Sequence, residues 1–147
     1  MNAAKPQDPR VQRIVTLFET LTTADVKRLS HYYASNARFK DPFNDVHGVP
    51  AIEQVFAHMF ESLLEPRFVV REAIVQGDQC FLSWDFLFRF KRYSDALQTV
   101  HGGSHLRFDA EGLVCLHRDY WDAAEELYEK LPLVGSLMRW LKRRARS

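Results

Sequence analysis

The chain has 147 residues and a formal net charge of +1, and 13% of its residues are aromatic. This length fits one domain that buries a core without disulfide or metal staples. The near-neutral charge gives no general reason to expect a nucleic-acid partner, and no apolar run is long enough to span a bilayer. Eleven phenylalanines exceed the needs of a small core and favour a domain that also lines an apolar cavity. We therefore expect a soluble, cytoplasmic protein.

Helical periodicity dominates the first half of the chain. Apolar residues recur every three to four positions over 11–21, and Thr22 to Asp25 offers an N-cap to a second helix that Asn36 closes. A short strand through Phe39 follows. A third helix is predicted from Pro50 to Leu63, because proline is favourable at a first helical position.

From Pro66 onward the apolar period changes from 3.6 to 2. Strands are predicted over 67–76, 80–93, 97–108 and 113–121. In the second of them the even positions from Cys80 to Phe90 are all apolar, which indicates an antiparallel sheet with one well-buried face. Helices gathered on one side of such a sheet make an α+β domain, and a curved sheet would leave a conical pocket beneath them.

Residues 122–147 are predicted as a C-terminal helical extension of a domain that spans 11–121. Five basic residues and no acidic residue fall within 139–147. Two helices broken at Pro132 are expected, and three roles stay open for the second helix. The first role is packing on the domain or on a partner subunit, with a solvated cationic face. The other two are binding to a membrane surface through Trp140 and its basic neighbours, and covering the pocket as a lid.

Neither the cysteines nor the histidines have the spacing of a metal site. Cys80 and Cys115 fall in predicted strands without a CxxC spacing, so buried free thiols in a reducing compartment are expected. His101 and His105 alternate with Ser104 and should face outward, with no suitable third ligand. We expect no metal and no other cofactor.

The order and spacing of several short motifs resemble those of the nuclear transport factor 2-like superfamily, over residues from about 11 to 121. This superfamily includes ketosteroid isomerase, scytalone dehydratase and the SnoaL-like polyketide cyclases. The motifs are Val11-Gln12-Arg13, the run from Asp25 to Pro42, Ala51-Ile52, and Arg107-Phe108 with the turn to Gly112. The resemblance implies three helices packed over a strongly curved antiparallel sheet, a conical pocket and a homodimer.

Asp41 ends the short strand and precedes Pro42. Its place between two aromatic residues, Phe39 and Phe43, suggests burial, which would suit a general base. The resemblance places Asp41 at the position of the catalytic base of ketosteroid isomerase. The alternative is that Asp41 is a turn residue whose carboxylate caps the local backbone.

The other groups of that isomerase do not carry over. Its oxyanion-hole tyrosine falls on Ile14 or Leu17, its oxyanion-hole aspartate on Ser104, and a supporting tyrosine on Phe56. Without strong donors aimed at a developing enolate, several kcal/mol of transition-state stabilisation are missing. A steroid isomerase that uses this mechanism is therefore not expected.

Alternation along the last strand puts His117, Asp119 and Trp121 on one face together with Cys115. The resemblance implies that this face lines the pocket. The further wall residues expected there are Ser104, Trp84, Phe56, Tyr33 and Ile14. Two carboxylates in a confined apolar site tend to differ in proton affinity, which gives one acid and one base, and a histidine between them would hold or shuttle a proton. The alternative for His117 is a hydrogen-bonded core imidazole.

Two functions follow from these residues. The first is a cofactor-independent isomerase, cyclase, dehydratase or hydrolase that acts on a small hydrophobic molecule, with Asp41 as general base and Asp119 or His117 as its partner. The second is a non-catalytic module that binds a small molecule or dimerises through the sheet. A fold hosts many activities, so the resemblance alone does not choose between them.

Overall fold

The computed structural model describes residues 6–91, 96–126, 140–141 and 143–145. They form an α+β domain in which one face of a curved six-stranded sheet is covered by helices. The elements in chain order are α1 (Pro9–Glu19), α2 (Thr23–Val26), a 3-10 turn (Leu29–His31), β1 (Tyr33–Lys40), β2 (Asp45–His47), α3 (Val49–Ser62), β3 (Leu63–Gln76), β4 (Gln79–Phe90), β5 (Gln98–Phe108), β6 (Val114–Tyr120) and α4 (Ala123–Glu126).

The strand order in the sheet is β2-β1-β6-β5-β4-β3. Within the described ranges, every neighbouring pair is antiparallel except β1 and β6, which run parallel. The four long strands therefore form the predicted antiparallel run. The predicted fold class is confirmed.

The first and third helices form where the apolar spacing predicts them. Asp8 caps α1 by accepting a hydrogen bond from the Arg10 amide at 2.9 Å, and Pro9 occupies the first turn. Gly48 precedes α3 with φ of +88°, a left-handed conformation that favours glycine. Both helices turn their apolar stripes toward the sheet, where Ile14 of α1 and Ile52 of α3 are buried.

The predicted second helix is wrong beyond its first turn. The capping box at Thr22 and Asp25 forms as expected, but α2 ends at Val26 and the chain enters β1 at Tyr33. The reason is tertiary. Tyr33 pairs with Val114 of β6, and the Val114 amide donates to the Tyr32 carbonyl at 2.8 Å, so strand pairing overrides a local helical pattern.

The start of β3 also differs from the prediction. The strand follows α3 directly at Leu63 rather than beginning at residue 67. Glu65 adopts a φ of +51°, and the register with β4 shifts between Leu64 and Arg67, which together make a bulge. This bulge interrupts the period of 2 that reveals a strand in a sequence.

The C-terminal extension is described only in part. It begins with α4, and residues 140–141 and 143–145 are helical, whereas 127–139 lie outside the described residues. Trp140 is 48% exposed and the Arg144 guanidinium lies 5.5 Å from its ring centroid. The helix break at Pro132 and the three roles considered for the tail stay predictions. No helix in the described parts of the chain has the length and apolar character needed to cross a bilayer.

We expect the folded state to lose stability at alkaline pH. Burial raises the pKa of the Cys80 thiol from 9.0 to about 12. Burial, and then the charge of Asp119, raises the pKa of Tyr33 well above 10.0. Folding therefore favours the protonated forms, whose stabilising effect is complete below pH 9 and is lost as the pH rises. The free energy of unfolding should fall by about 1.4 kcal/mol per pH unit above pH 9 on account of Cys80 alone.

Urea unfolding between pH 8 and 11 measures this decline. Cys80→Ala should flatten it, whereas Cys115→Ala serves as the matched control for removal of a thiol. An equal slope in the wild type and Cys80→Ala would contradict the assignment to Cys80.

Candidate active site

A cavity of about 380 Å³ opens between α3 and the sheet. Among the residues that the structure describes, nine of those lining it are aromatic, and we call it the aromatic cavity. The aromatic lining residues are Phe39, Phe43, Phe56, Phe68, Trp84, Phe86, Phe88, Phe90 and Trp121. The polar lining residues are Asp41, Asn44, His58, Ser62 and Asp119. The phenylalanines therefore line a space instead of filling it, and its volume suits a small ligand.

The wall of the aromatic cavity follows from strand alternation. The even positions of β4 bring Trp84 and Phe86 to this face, and Phe68 of β3 packs between them. The ring centroid of Phe68 lies 4.5 Å from that of Phe86 and 5.2 Å from that of Trp84. These ring contacts hold the wall in place.

The parallel pairing of β1 and β6 brings the two predicted acidic residues together. Phe39 pairs with His117, and Lys40 pairs with Arg118. Asp41 and Asp119 are the next residues along the two chains, Asp41 just beyond the end of β1 and Asp119 within β6. Both aspartates line the aromatic cavity. Two carboxylates therefore lie on the wall of one cavity, near the ends of two adjacent strands.

Asp119 is the acceptor at the end of a buried hydrogen-bond network. Its Oδ1 lies 2.7 Å from His117 Nε2 and accepts a 2.5 Å hydrogen bond from the Ser104 hydroxyl. The Trp84 indole N–H donates to Ser104 Oγ at 2.9 Å, and Tyr33 Oη lies 2.7 Å from His117 Nδ1. Within the described chain, none of the hydrogen bonds reaches Asp119 Oδ2.

Hydrogen-bond satisfaction fixes the direction of this network. If His117 donates from Nε2 to the carboxylate, its Nδ1 accepts from the Tyr33 hydroxyl, and every polar group has a partner. A doubly protonated imidazole would donate to Tyr33 Oη and leave the buried hydroxyl proton without an acceptor. The geometry therefore favours a neutral His117, with two donors to Asp119, His117 and Ser104, and a second donor behind each of them.

Asp41 is held by its own turn. Its Oδ1 accepts from the Phe43 amide at 2.8 Å and from the Asn44 amide at 2.7 Å. The Asn44 side chain donates to both carboxylate oxygens, at 3.0 and 3.1 Å. The turn function expected of an aspartate before proline is therefore present. Asp41 is half-buried rather than enclosed, because the flanking Phe43 is 52% exposed.

Variants of Asp41 should separate its role in the turn from any role in chemistry. In Asp41→Asn the amide oxygen still accepts the two backbone hydrogen bonds, so the stability should stay close to that of the wild type. Asp41→Ala removes these acceptors and should cost about 1–2 kcal/mol. Thermal or urea unfolding of the two variants measures the difference, and equal losses in both would contradict the turn assignment.

The structure places the predicted wall residues in two layers. Trp84, Trp121 and Phe56 line the aromatic cavity. Ser104 and His117 are buried behind it and act through their hydrogen bonds to Asp119. Their side chains face the expected side of the sheet, but neighbouring side chains cover them.

Three expectations need correction. Ile14 is buried in the core and Tyr33 lies behind His117, so neither contributes to the described cavity wall. Cys115 is half-exposed, and its thiol contacts the Arg107 carbonyl instead of the pocket. The register between β5 and β6 shifts beside Arg107, and this irregularity breaks the strict alternation that the prediction used.

Several lining residues carried no signal of their own in the sequence. His58 and Ser62 are one helical turn apart on α3, with Ser62 Oγ 3.3 Å from His58 Nε2. Phe43 and Asn44 follow Asp41 in the turn. For Phe43 and Asn44 the sequence offers only their proximity to Asp41 as an indication. Helical and strand periodicity indicate which residues are buried, but not where a cavity lies. In the described ranges, no group of three His, Cys, Asp or Glu side chains has the arrangement of a metal site.

Comparison with known proteins gives one family and one fold. Residues 14–117 match the model of the SnoaL-like domain. No curated protein matches the chain.

Solved structures share the fold at low sequence identity. A protein of ketosteroid isomerase-like fold from Catenulispora acidiphila, in complex with trimethylamine, has a TM-score of 0.70 at 14% identity and covers 83% of this chain and 92% of its own. A protein named as a SnoaL-like polyketide cyclase from Jannaschia sp. CCS1 has a TM-score of 0.70 at 16% identity, with coverages of 83% and 94%. TerC, co-crystallized with polyporic acid, has a TM-score of 0.69 at 17% identity, with coverages of 80% and 95%.

Proposed function

Because the chain belongs to the SnoaL-like domain family, whose members have the nuclear transport factor 2-like fold, we propose that it is a cofactor-independent acid–base enzyme. Its substrate is a small hydrophobic molecule with a carbonyl group, held in the aromatic cavity. Asp119 takes the proton from the carbon next to this carbonyl, and Asp41 is the second carboxylate of the pair.

The observation that carries the proposal is the state of the two oxygens of Asp119. Oδ1 accepts from His117 and Ser104, which fixes the carboxylate, while Oδ2 has no donor among the described residues. Asp119 also lines the aromatic cavity, and its side chain is 13% exposed. A fixed carboxylate with one open oxygen at an apolar wall has the arrangement of a general base.

Asp41 is less suited to be the first base. Both of its oxygens accept hydrogen bonds in the turn, and its position at the mouth leaves it half-buried. Asp41 lines the same cavity as Asp119, so it supplies a second acid–base group beside the bound substrate. Asp119 holds the proton that it removes and returns it to another carbon of the substrate, and Asp41 exchanges a second proton between the substrate and solvent.

Proton removal next to a carbonyl is the first step common to isomerisation, to aldol-type cyclisation and to many dehydrations. The Jannaschia neighbour is named as a cyclase, and the TerC and Catenulispora structures are complexes with small molecules. Together with the aromatic wall, these relatives favour an apolar substrate with an acidic C–H bond.

Deuterium exchange tests this proposal without knowledge of the natural substrate. The bicyclic aromatic ketone 2-tetralone exchanges its α-protons in D₂O, and ¹H NMR follows the rate. Wild-type protein should accelerate the exchange in a saturable manner. Replacement of Asp122, which lies outside the aromatic cavity, by asparagine should leave the rate unchanged. Saturable binding of the ketone without acceleration would favour the alternative, a non-catalytic ligand-binding module.

A further inference from the structure

We propose that the aromatic cavity selects ligands that carry a methylated organic cation, a tertiary or quaternary ammonium group. This inference rests on the proposed function only in requiring that the cavity binds a small molecule. It adds a charge to the hydrophobic substrate and places that charge beside the Asp41–Asp119 pair.

The first argument is the charge of the cavity wall. Asp41 and Asp119 line it, whereas none of its described lining residues is lysine or arginine. The nearest basic side chains in sequence, Lys40 and Arg118, line an adjoining outer groove that also includes both aspartates, and neither of them forms an ion pair with Asp41 or Asp119. The described wall is therefore anionic.

The hydrogen-bond network does not remove this negative charge. Each donor to Asp119 and Asp41 is neutral, including His117 in the tautomer that satisfies Tyr33. Hydrogen bonds fix the carboxylates but leave their charge, and a carboxylate at an apolar wall needs a counter-charge. A bound cation supplies it.

The second argument is the placement of the aromatic rings. The two strand ends carry the same pattern, an aspartate followed two residues later by an aromatic residue. Phe43 follows Asp41, Trp121 follows Asp119, and the two rings meet edge to face with centroids 5.5 Å apart. Aromatic faces attract cations, with tryptophan the strongest. Two carboxylates beside an aromatic pair, in a cavity lined by aromatic rings, are an arrangement that recognises organic cations.

The wall also selects the kind of cation. A primary ammonium needs several hydrogen-bond acceptors to replace its water, yet the turn and the network occupy three of the four carboxylate oxygens. A methylated ammonium is weakly hydrated and has apolar methyl groups that contact aromatic rings. The aromatic cavity therefore fits the methylated cation better.

A pair of isosteric probes tests the inference. Phenyltrimethylammonium and tert-butylbenzene have nearly the same shape and differ in charge, and phenylacetate supplies an anionic control. The indole N–H signals of Trp84 and Trp121 in ¹⁵N–¹H NMR spectra report occupancy of the aromatic cavity, and Trp140, which lies outside it, is the internal reference. We expect a Kd for the cation about tenfold lower than for the neutral probe.

Variants test whether the carboxylates cause the preference for the cation over the neutral probe. Asp119→Asn and Asp41→Asn should each reduce this preference several-fold without loss of binding of tert-butylbenzene. Asp122→Asn, outside the cavity, should retain it.

Equal affinities for the cation and the neutral probe would overturn the inference and leave the proposed function standing. Tighter binding of phenylacetate would also overturn it and would point to Lys40 and Arg118. Absence of binding by all three probes would overturn both this inference and the proposed function.

Discussion

Replacing Asp119 by asparagine is expected to slow the exchange of 2-tetralone protons at least 100-fold, since a positioned general base contributes roughly 10²–10⁴ in rate. The amide has the same size, and its oxygen can still accept from Ser104 and His117. It has no basic oxygen for a substrate proton. The fold and the aromatic cavity should therefore persist while the proton transfer is lost.

Two measurements make this result specific to the base. The NMR titration with tert-butylbenzene should give an unchanged Kd in Asp119→Asn, which shows that the cavity still binds. Asp41→Asn should lower the rate by a smaller factor, because Asp41 Oδ2 is already engaged by Asn44. If Asp41→Asn abolishes exchange and Asp119→Asn does not, the roles of the two carboxylates are reversed.

Replacing His117 by leucine is expected to destabilise the protein by about 2–4 kcal/mol, because it breaks the buried network at its centre. The Tyr33 hydroxyl is fully buried and loses its only described acceptor, and Asp119 loses one of its two donors. Each orphaned buried group costs about 1–3 kcal/mol. Urea unfolding at pH 7.5 measures the change.

A double variant provides the control for this prediction. Tyr33→Phe together with His117→Leu removes both partners of the first hydrogen bond, and replacing both partners by apolar groups costs less than orphaning one. The double variant should therefore be more stable than His117→Leu by about 1 kcal/mol. If it is less stable than the single variant, the Tyr33–His117 contact does not form as described.

The sequence predicted the elements that carry a clear period. The even positions of β4 form the buried face, and alternation along β6 puts His117 and Asp119 on the side of the aromatic cavity. The stripe of α3 also lies where the spacing of 3.6 places it. These predictions hold because burial alone imposes the period, whatever the partner element is.

Prediction failed where a distant strand decides the local structure. Residues from Tyr33 onward read as the end of a helix and are a strand, because β6 offers hydrogen-bond partners some 80 residues later in the chain. β2 was missed for a different reason, because its three residues are too few to show a period, although it pairs with the adjacent strand β1. Local sequence contains no record of the pairing between β1 and β6.

The sequence by itself determined the α+β class, the aromatic character of the interior and the presence of Asp41 and Asp119 at strand ends. It did so through composition and period, which depend only on neighbouring residues. Only the tertiary structure decided that these two carboxylates line the same cavity, that Tyr33, His117 and Ser104 direct donors toward one of them, and that the phenylalanines leave a cavity. Strand register and hydrogen-bond direction are relations between distant segments, and they become fixed only when those segments meet.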